Sequence, residues 1–137
     1  MTRRLLLVLS VAAVAAAASL AVAVPRASAD SYGCTWAPFG NVCILIEGDG
    51  LHVDHVRVRR AKIDYELICN YRAVMTVRNK NGVLIDKRRK GPHRGCTPIW
   101  AWFDWYPDRN YPDGSKICTA WFERGVLQGK PCNGVHD

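Results

Sequence analysis

Six cysteines that fall into three close sequential pairs constrain this chain more than any other feature. Cys34 lies near Cys43, Cys69 near Cys96 and Cys118 near Cys132, and none precedes residue 34. Upstream, Arg3 and Arg4 are followed by an uncharged apolar run from Leu5 to Val24 and by Ala27-Ser28-Ala29. A positive end, an apolar stretch and a small-residue site are the three parts of a secretory signal. An even set of cysteines behind such a leader predicts a small exported domain stapled by disulfides.

Cleavage is expected before Asp30. Removing residues 1–29 from a chain of 137 leaves 108 residues, one domain, and takes Arg3, Arg4 and Arg26 with it, so the net charge falls from +7 to +4. The two arginines leave Sec and twin-arginine export both open. The apolar run is also long enough for a retained anchor, but its alanine-rich composition and the Ala-x-Ala site favour removal and no membrane span in the processed protein.

The mature segment, 30–137, reads as a single disulfide-stabilised β domain with no repeat, linker or helical period. From Ile63 to Val77 apolar residues alternate with polar ones, the period of a half-buried strand. Asn79-Lys80-Asn81-Gly82 supplies a turn and Val83-Leu84-Ile85 starts the return strand. Val53 and Val56 lie on opposite parities, which predicts a bulge near Asp54 or His55. Ile99 to Tyr106 and Lys116 to Phe122 are further strand candidates around a proline-rich loop.

The cysteines fit the same scheme. The midpoint between Cys34 and Cys43 falls in Ala37-Pro38-Phe39-Gly40, that between Cys69 and Cys96 beside Asn81-Gly82, and that between Cys118 and Cys132 on Gly125. Residues equidistant from a hairpin turn face each other across the strands, so pairing in sequential order is expected. The middle pair fits least well, because Gly91-Pro92 is expected to end the strand before Cys96. The fold class is all-β, an antiparallel sandwich or flattened barrel of about seven or eight short strands. An immunoglobulin-type domain is excluded by the cysteine spacing.

Charge and aromatic residues carry the functional signal. Arg57, Arg59, Arg60 and Lys62 form one acid-free stretch, and Lys87, Arg88, Arg89, Lys90 and Arg94 form another. On one side of a sheet they would make a patch for phosphate, sulfate or carboxylate polymers; on an edge they would only guard against strand pairing. Trp100, Trp102 and Trp105 belong to an aromatic run that either packs inside or stacks on ligands. The basic and aromatic segments are separate in sequence, which argues against a nucleic-acid partner.

Catalytic signals are poor. Ser31 and Ser115 are the only serines of the mature chain and neither sits in a Gly-x-Ser-x-Gly elbow. Nothing selects a carboxylate pair from Asp104, Asp108, Asp113 and Glu123. His52-Val53-Asp54-His55 resembles a metal clip whose histidines point to opposite faces unless the bulge realigns them, and the aspartates of the proline-rich loop do not have calcium-loop spacing. No metal or cofactor is assigned.

The alanine-rich leader, the paired cysteines and the closing Ile117-Cys118-Thr119-Ala120-Trp121-Phe122 to Pro131-Cys132 segment resemble small uncharacterised disulfide-rich proteins secreted by actinobacteria. That resemblance implies a secreted origin and no activity. The expected function is non-catalytic binding of anionic or glycan material of the cell envelope or extracellular space, with a protein partner left open. The alternatives are a protease inhibitor presenting Arg88, Arg89 or Arg94 on a loop braced by Cys96, and a small cationic antibacterial toxin.

Overall fold

Each expected cysteine pair is closed between residues directly opposite one another on antiparallel strands: Cys34 faces Cys43, Cys69 faces Cys96 and Cys118 faces Cys132. The computed structural model describes residues 29–137. The expected leader, apart from Ala29, lies outside the described residues. Disulfides form and persist in oxidising surroundings, so the three bridges place the domain in an oxidising environment. Among the described residues no helix is long and apolar enough to cross a membrane.

Among the described residues ten strands form two five-stranded antiparallel sheets packed as a sandwich. The first sheet runs β1 (Ser31–Ala37), β2 (Gly40–Asp49), β3 (His52–Lys62) and then β6 (Trp100–Trp105), while the short β7 (Arg109–Asn110) pairs with the start of β3. The second places β8 (Ser115–Glu123) beside β4 (Leu67–Arg78), with β5 (Leu84–Pro98) on the far edge of β4. On the other edge of β8 lie β9 (Val126–Gly129) and β10 (Cys132–Val135) in succession. Ten strands replace the expected seven or eight because the proline-rich loop and the segment after Gly125 each hold short paired pieces.

Alternation decides what is buried. Val42, Ile44 and Ile46 of β2 and Val56 and Val58 of β3 meet Tyr71, Ala73, Met75 and Val77 of β4 and Ile117 and Trp121 of β8 in one core. Asp54 is the extra residue of a bulge: Glu47 faces His55 while Gly48 faces Val53, so Val53 and Val56 both turn inward. The phase change read in the sequence therefore sits where the pattern put it.

Turn chemistry sets the hairpins. Asn79 accepts backbone hydrogen bonds from Asn81 and Val83 through Oδ1 and from Gly82 through its carbonyl, with Gly82 at φ 80°. Arg124 and Gly125, at φ 49° and 82°, form the two-residue turn between β8 and β9.

Two strand limits differ from the pattern. β4 begins at Leu67 rather than Ile63, because Asp64 and Tyr65 are both left-handed at φ 58° and reverse the chain there. Ile63, Tyr65 and Leu67, read on the apolar face, are exposed, while Ile68 is buried, because the left-handed Asn70 at φ 47° shifts the phase. β5 does not stop at Gly91-Pro92 but continues to Pro98, with register shifts opposite Asn70 and Arg72 absorbing the irregularity. An edge strand tolerates this, since the missing proline N–H costs no hydrogen bond on its unpaired side.

Candidate functional site: the outward face of the first sheet

Cross-strand register builds this face row by row. Asn41 of β2 lies between Trp36 of β1 and Ala61 of β3, which in turn faces Trp100 of β6; the next row is Cys34, Cys43, Arg59 and Trp102. A third row is Tyr32, Leu45, Arg57 and Asp104. All of these alternate with the core residues and so point away from it. Two arginines thus stand between aromatic residues from the two edges of the sheet.

The aromatic side chains are open to solvent: Trp36 is 90% exposed, Trp100 55% and Trp102 50%. Shallow hollows separate them. One of about 170 Å³ is lined by Arg57, Arg59, Trp100 and Trp102. On the other side of the arginines Tyr32, Cys43 and Leu45 line a second of about 120 Å³, and Cys34, Thr35, Trp36 and Asn41 line a third of about 210 Å³. A larger hollow of about 360 Å³ near Lys62 and Glu66 includes Glu123, but that carboxylate is already bound by Arg60 and Lys62.

The two arginines are not equivalent. Arg57 donates from Nε and Nη2 to the two oxygens of Asp104, at 2.7 and 3.2 Å, and its guanidinium lies 5.8 Å from the Trp102 ring centre. Asp104 also meets His55 Nε2 at 2.7 Å, while His55 Nδ1 meets Glu47 and its ring stacks on Tyr106. Burial pushes the Asp104 carboxyl up, but the hydrogen bonds and charges of Arg57 and His55 outweigh it and hold the group below the usual aspartate range. Arg59 donates, among the described residues, only to the Tyr32 hydroxyl, at 3.4 Å. Among the described residues no carboxylate lies within ion-pair distance of it, which leaves Arg59 to receive an anionic group.

Of the residues singled out in the sequence, Arg57, Arg59, Trp100 and Trp102 come together here. Arg60 and Trp105 do not, and both leave the binding set. Arg60 is on the inward parity of β3, fully buried, where it donates to Glu123 at 2.8 Å and to the carbonyls of Pro38, Asn41 and Ala61. It braces the β1–β2 turn. Trp105 is 3% exposed in the core.

The second basic stretch belongs to β5 in the other sheet, so the two stretches do not form one patch. Arg88 turns inward to Asp86 and the Tyr106 carbonyl, Lys87 and Arg89 point outward, and Lys90 and Arg94 are exposed along the edge strand. Arg88 and Arg89 are paired with Met75 and Val74, and Arg94 lies in the bulge of β5 between His93 and Cys96.

The bulge does not bring the two histidines to one centre. His52 Nδ1 meets Asn110 Oδ1 at 2.8 Å, and its Nε2 lies 3.1 Å from Asp108 and 3.3 Å from Asp54. The Asn110 and Asp108 hydrogen bonds raise the His52 pKa, and His52, Asp54 and Asp108 form an exposed cluster apart from His55.

Tyr32, Trp36 and Leu45 were missed. Their signal was available, since Tyr32 and Trp36 share the parity of Cys34, and the Cys34–Cys43 pair fixes the register that carries them to the same face as Leu45.

Comparison of the chain with protein-family models, with curated proteins and with solved structures finds no match.

Proposed function

We propose that this is a secreted, non-catalytic binding protein that holds an acidic glycan of the cell envelope or extracellular space on the outward face of its first sheet. One observation carries the reading: exposed Trp100 and Trp102 flank Arg59, a guanidinium with no carboxylate partner among the described residues. Exposed aromatic rings gain no burial for the fold and offer flat apolar surfaces to the faces of sugar rings. An arginine at their side supplies a forked donor for a carboxylate. Arg57, already paired with Asp104, keeps the face rigid and sets the position of Trp102.

Basic and aromatic residues that are far apart in sequence meet on this face, so their separation along the chain is no argument against a nucleic-acid partner. The shallow hollows and the single uncommitted arginine fit a short acidic sugar segment better than a continuous phosphate track. The test is tryptophan fluorescence of the oxidised protein titrated with an oligogalacturonate, with a neutral cello-oligosaccharide and an oligothymidylate as comparisons. Saturable quenching by the oligogalacturonate, lost in Arg59→Ala and Trp102→Ala, is expected. A response to the oligothymidylate alone, or none to any of the three, overturns the reading.

A further inference from the structure

The outward face of the second sheet is a second, wholly cationic surface. Register places Lys116 of β8 opposite Arg78 of β4, Cys118 opposite Thr76 and Lys87, Ala120 opposite Val74 and Arg89, and Phe122 opposite Arg72. Arg72, Arg78, Lys87, Arg89 and Lys116 therefore all point the same way, on strands about 4.8 Å apart. Both acidic residues in the strands of this sheet face inward: Asp86 lies opposite Val77 and accepts from Tyr111, and Glu123 lies opposite Tyr71 and accepts from the buried Arg60. The carboxylates that do hold arginine or lysine are engaged away from this face, Asp104 by Arg57, Glu123 by Arg60 and Lys62, and Asp86 by Arg88. Among the described residues none of the five on this face has a carboxylate within ion-pair distance.

We infer that this face binds a linear phosphate-bearing polymer. Like charges held on adjacent strands repel one another, and a polyanion relieves that repulsion while releasing its own counterions. A flat array suits an extended chain rather than a small ion. No open ring is offered to a nucleic-acid base, because Arg72 lies 4.0 Å over the Phe122 ring. The face offers no continuous apolar area to insert into a bilayer, since Val74 and Ala120 are half-buried and the exposed Leu84, opposite Arg78, and Leu127, opposite Phe122, stand on opposite edge strands. The site lies on the opposite side of the sandwich from Arg59 and Trp102 and does not rest on the glycan reading.

The experiment is binding of the oxidised protein to inorganic polyphosphate across a salt series, with duplex DNA and phosphatidylglycerol vesicles in parallel. Polyphosphate is expected to bind, and the combined Lys87→Gln, Arg89→Gln and Lys116→Gln variant to bind at least roughly ten-fold more weakly, its salt slope reduced by about 2. A matching melting temperature shows that the variant is folded, and single substitutions at the same exposed positions serve if it is not. Arg59→Ala and Trp102→Ala are expected to bind polyphosphate as the unaltered protein does. Undiminished binding by the Gln variants, loss of binding in Arg59→Ala, or binding of DNA or vesicles without polyphosphate overturns the inference.

Discussion

Arg57 of β3 grips both carboxylate oxygens of Asp104 on β6, with Nε 2.7 Å from Oδ1 and Nη2 3.2 Å from Oδ2. The pair joins the two strands that carry Arg59 and Trp102, so it fixes the spacing of the candidate site. Because the folded-state pKa of Asp104 is depressed, the stabilisation is complete above the ordinary aspartate range, about pH 4, and is lost as pH falls through the lower folded value. Thermal unfolding between pH 6 and pH 2 is expected to show a falling melting temperature below about pH 4. Asp104→Asn should flatten part of that fall.

Arg60 and Glu123 behave as a buried unit. Glu123 accepts from Arg60 Nε at 2.8 Å and lies 2.7 Å from Lys62 Nζ. Glu123→Gln leaves a fully buried guanidinium without its counter-charge, a change expected to cost about 3 to 5 kcal/mol in urea unfolding. A loss below about 1 kcal/mol would mean that the backbone carbonyls around Arg60 suffice to hold its charge.

Trp36 and Trp105 differ in burial and so in cost. Trp36→Ala removes a ring that is 90% exposed and should change stability by less than about 0.5 kcal/mol. Trp105→Ala opens a core cavity and should cost about 3 to 5 kcal/mol. Denaturant unfolding separates the two, and equal effects would contradict the division of this aromatic set into surface and core.

Thr119 faces the core with its hydroxyl buried and unpartnered. Thr119→Val keeps the shape and removes a desolvated polar atom, so a gain of about 1 kcal/mol is expected in the same assay. A loss would point to a hydrogen-bond partner for the hydroxyl in solution, such as an internal water.

Most of the fold was legible along the chain, because its signals are local. The alternation from Tyr71 to Val77, the Asn79–Gly82 turn, the parity change at Val53 and Val56 and the cysteine pairs centred on turns each depend on neighbours in sequence. What misled the pattern was also local: Ile63 and Tyr65 continue the apolar alternation but sit in a turn, since side-chain period does not report a left-handed backbone. Gly91-Pro92 looked like a strand end because the sequence does not show that β5 lies on an edge.

The binding surfaces could not be read that way. Whether an arginine faces solvent or core depends on the sheet packed beneath it, so Arg57 and Arg59 became surface while Arg60, one residue on, was buried against Glu123 from the opposite sheet. Likewise Trp102 and Trp105 belong to one run of six residues, yet only Trp102 is open to a ligand. Spacing along the chain is enough to specify an all-β domain with sequentially paired cysteines, since hairpins and disulfides follow from it. That the two basic stretches lie in different sheets depends on long-range strand order, which joins β3 to β6 and β4 to β5.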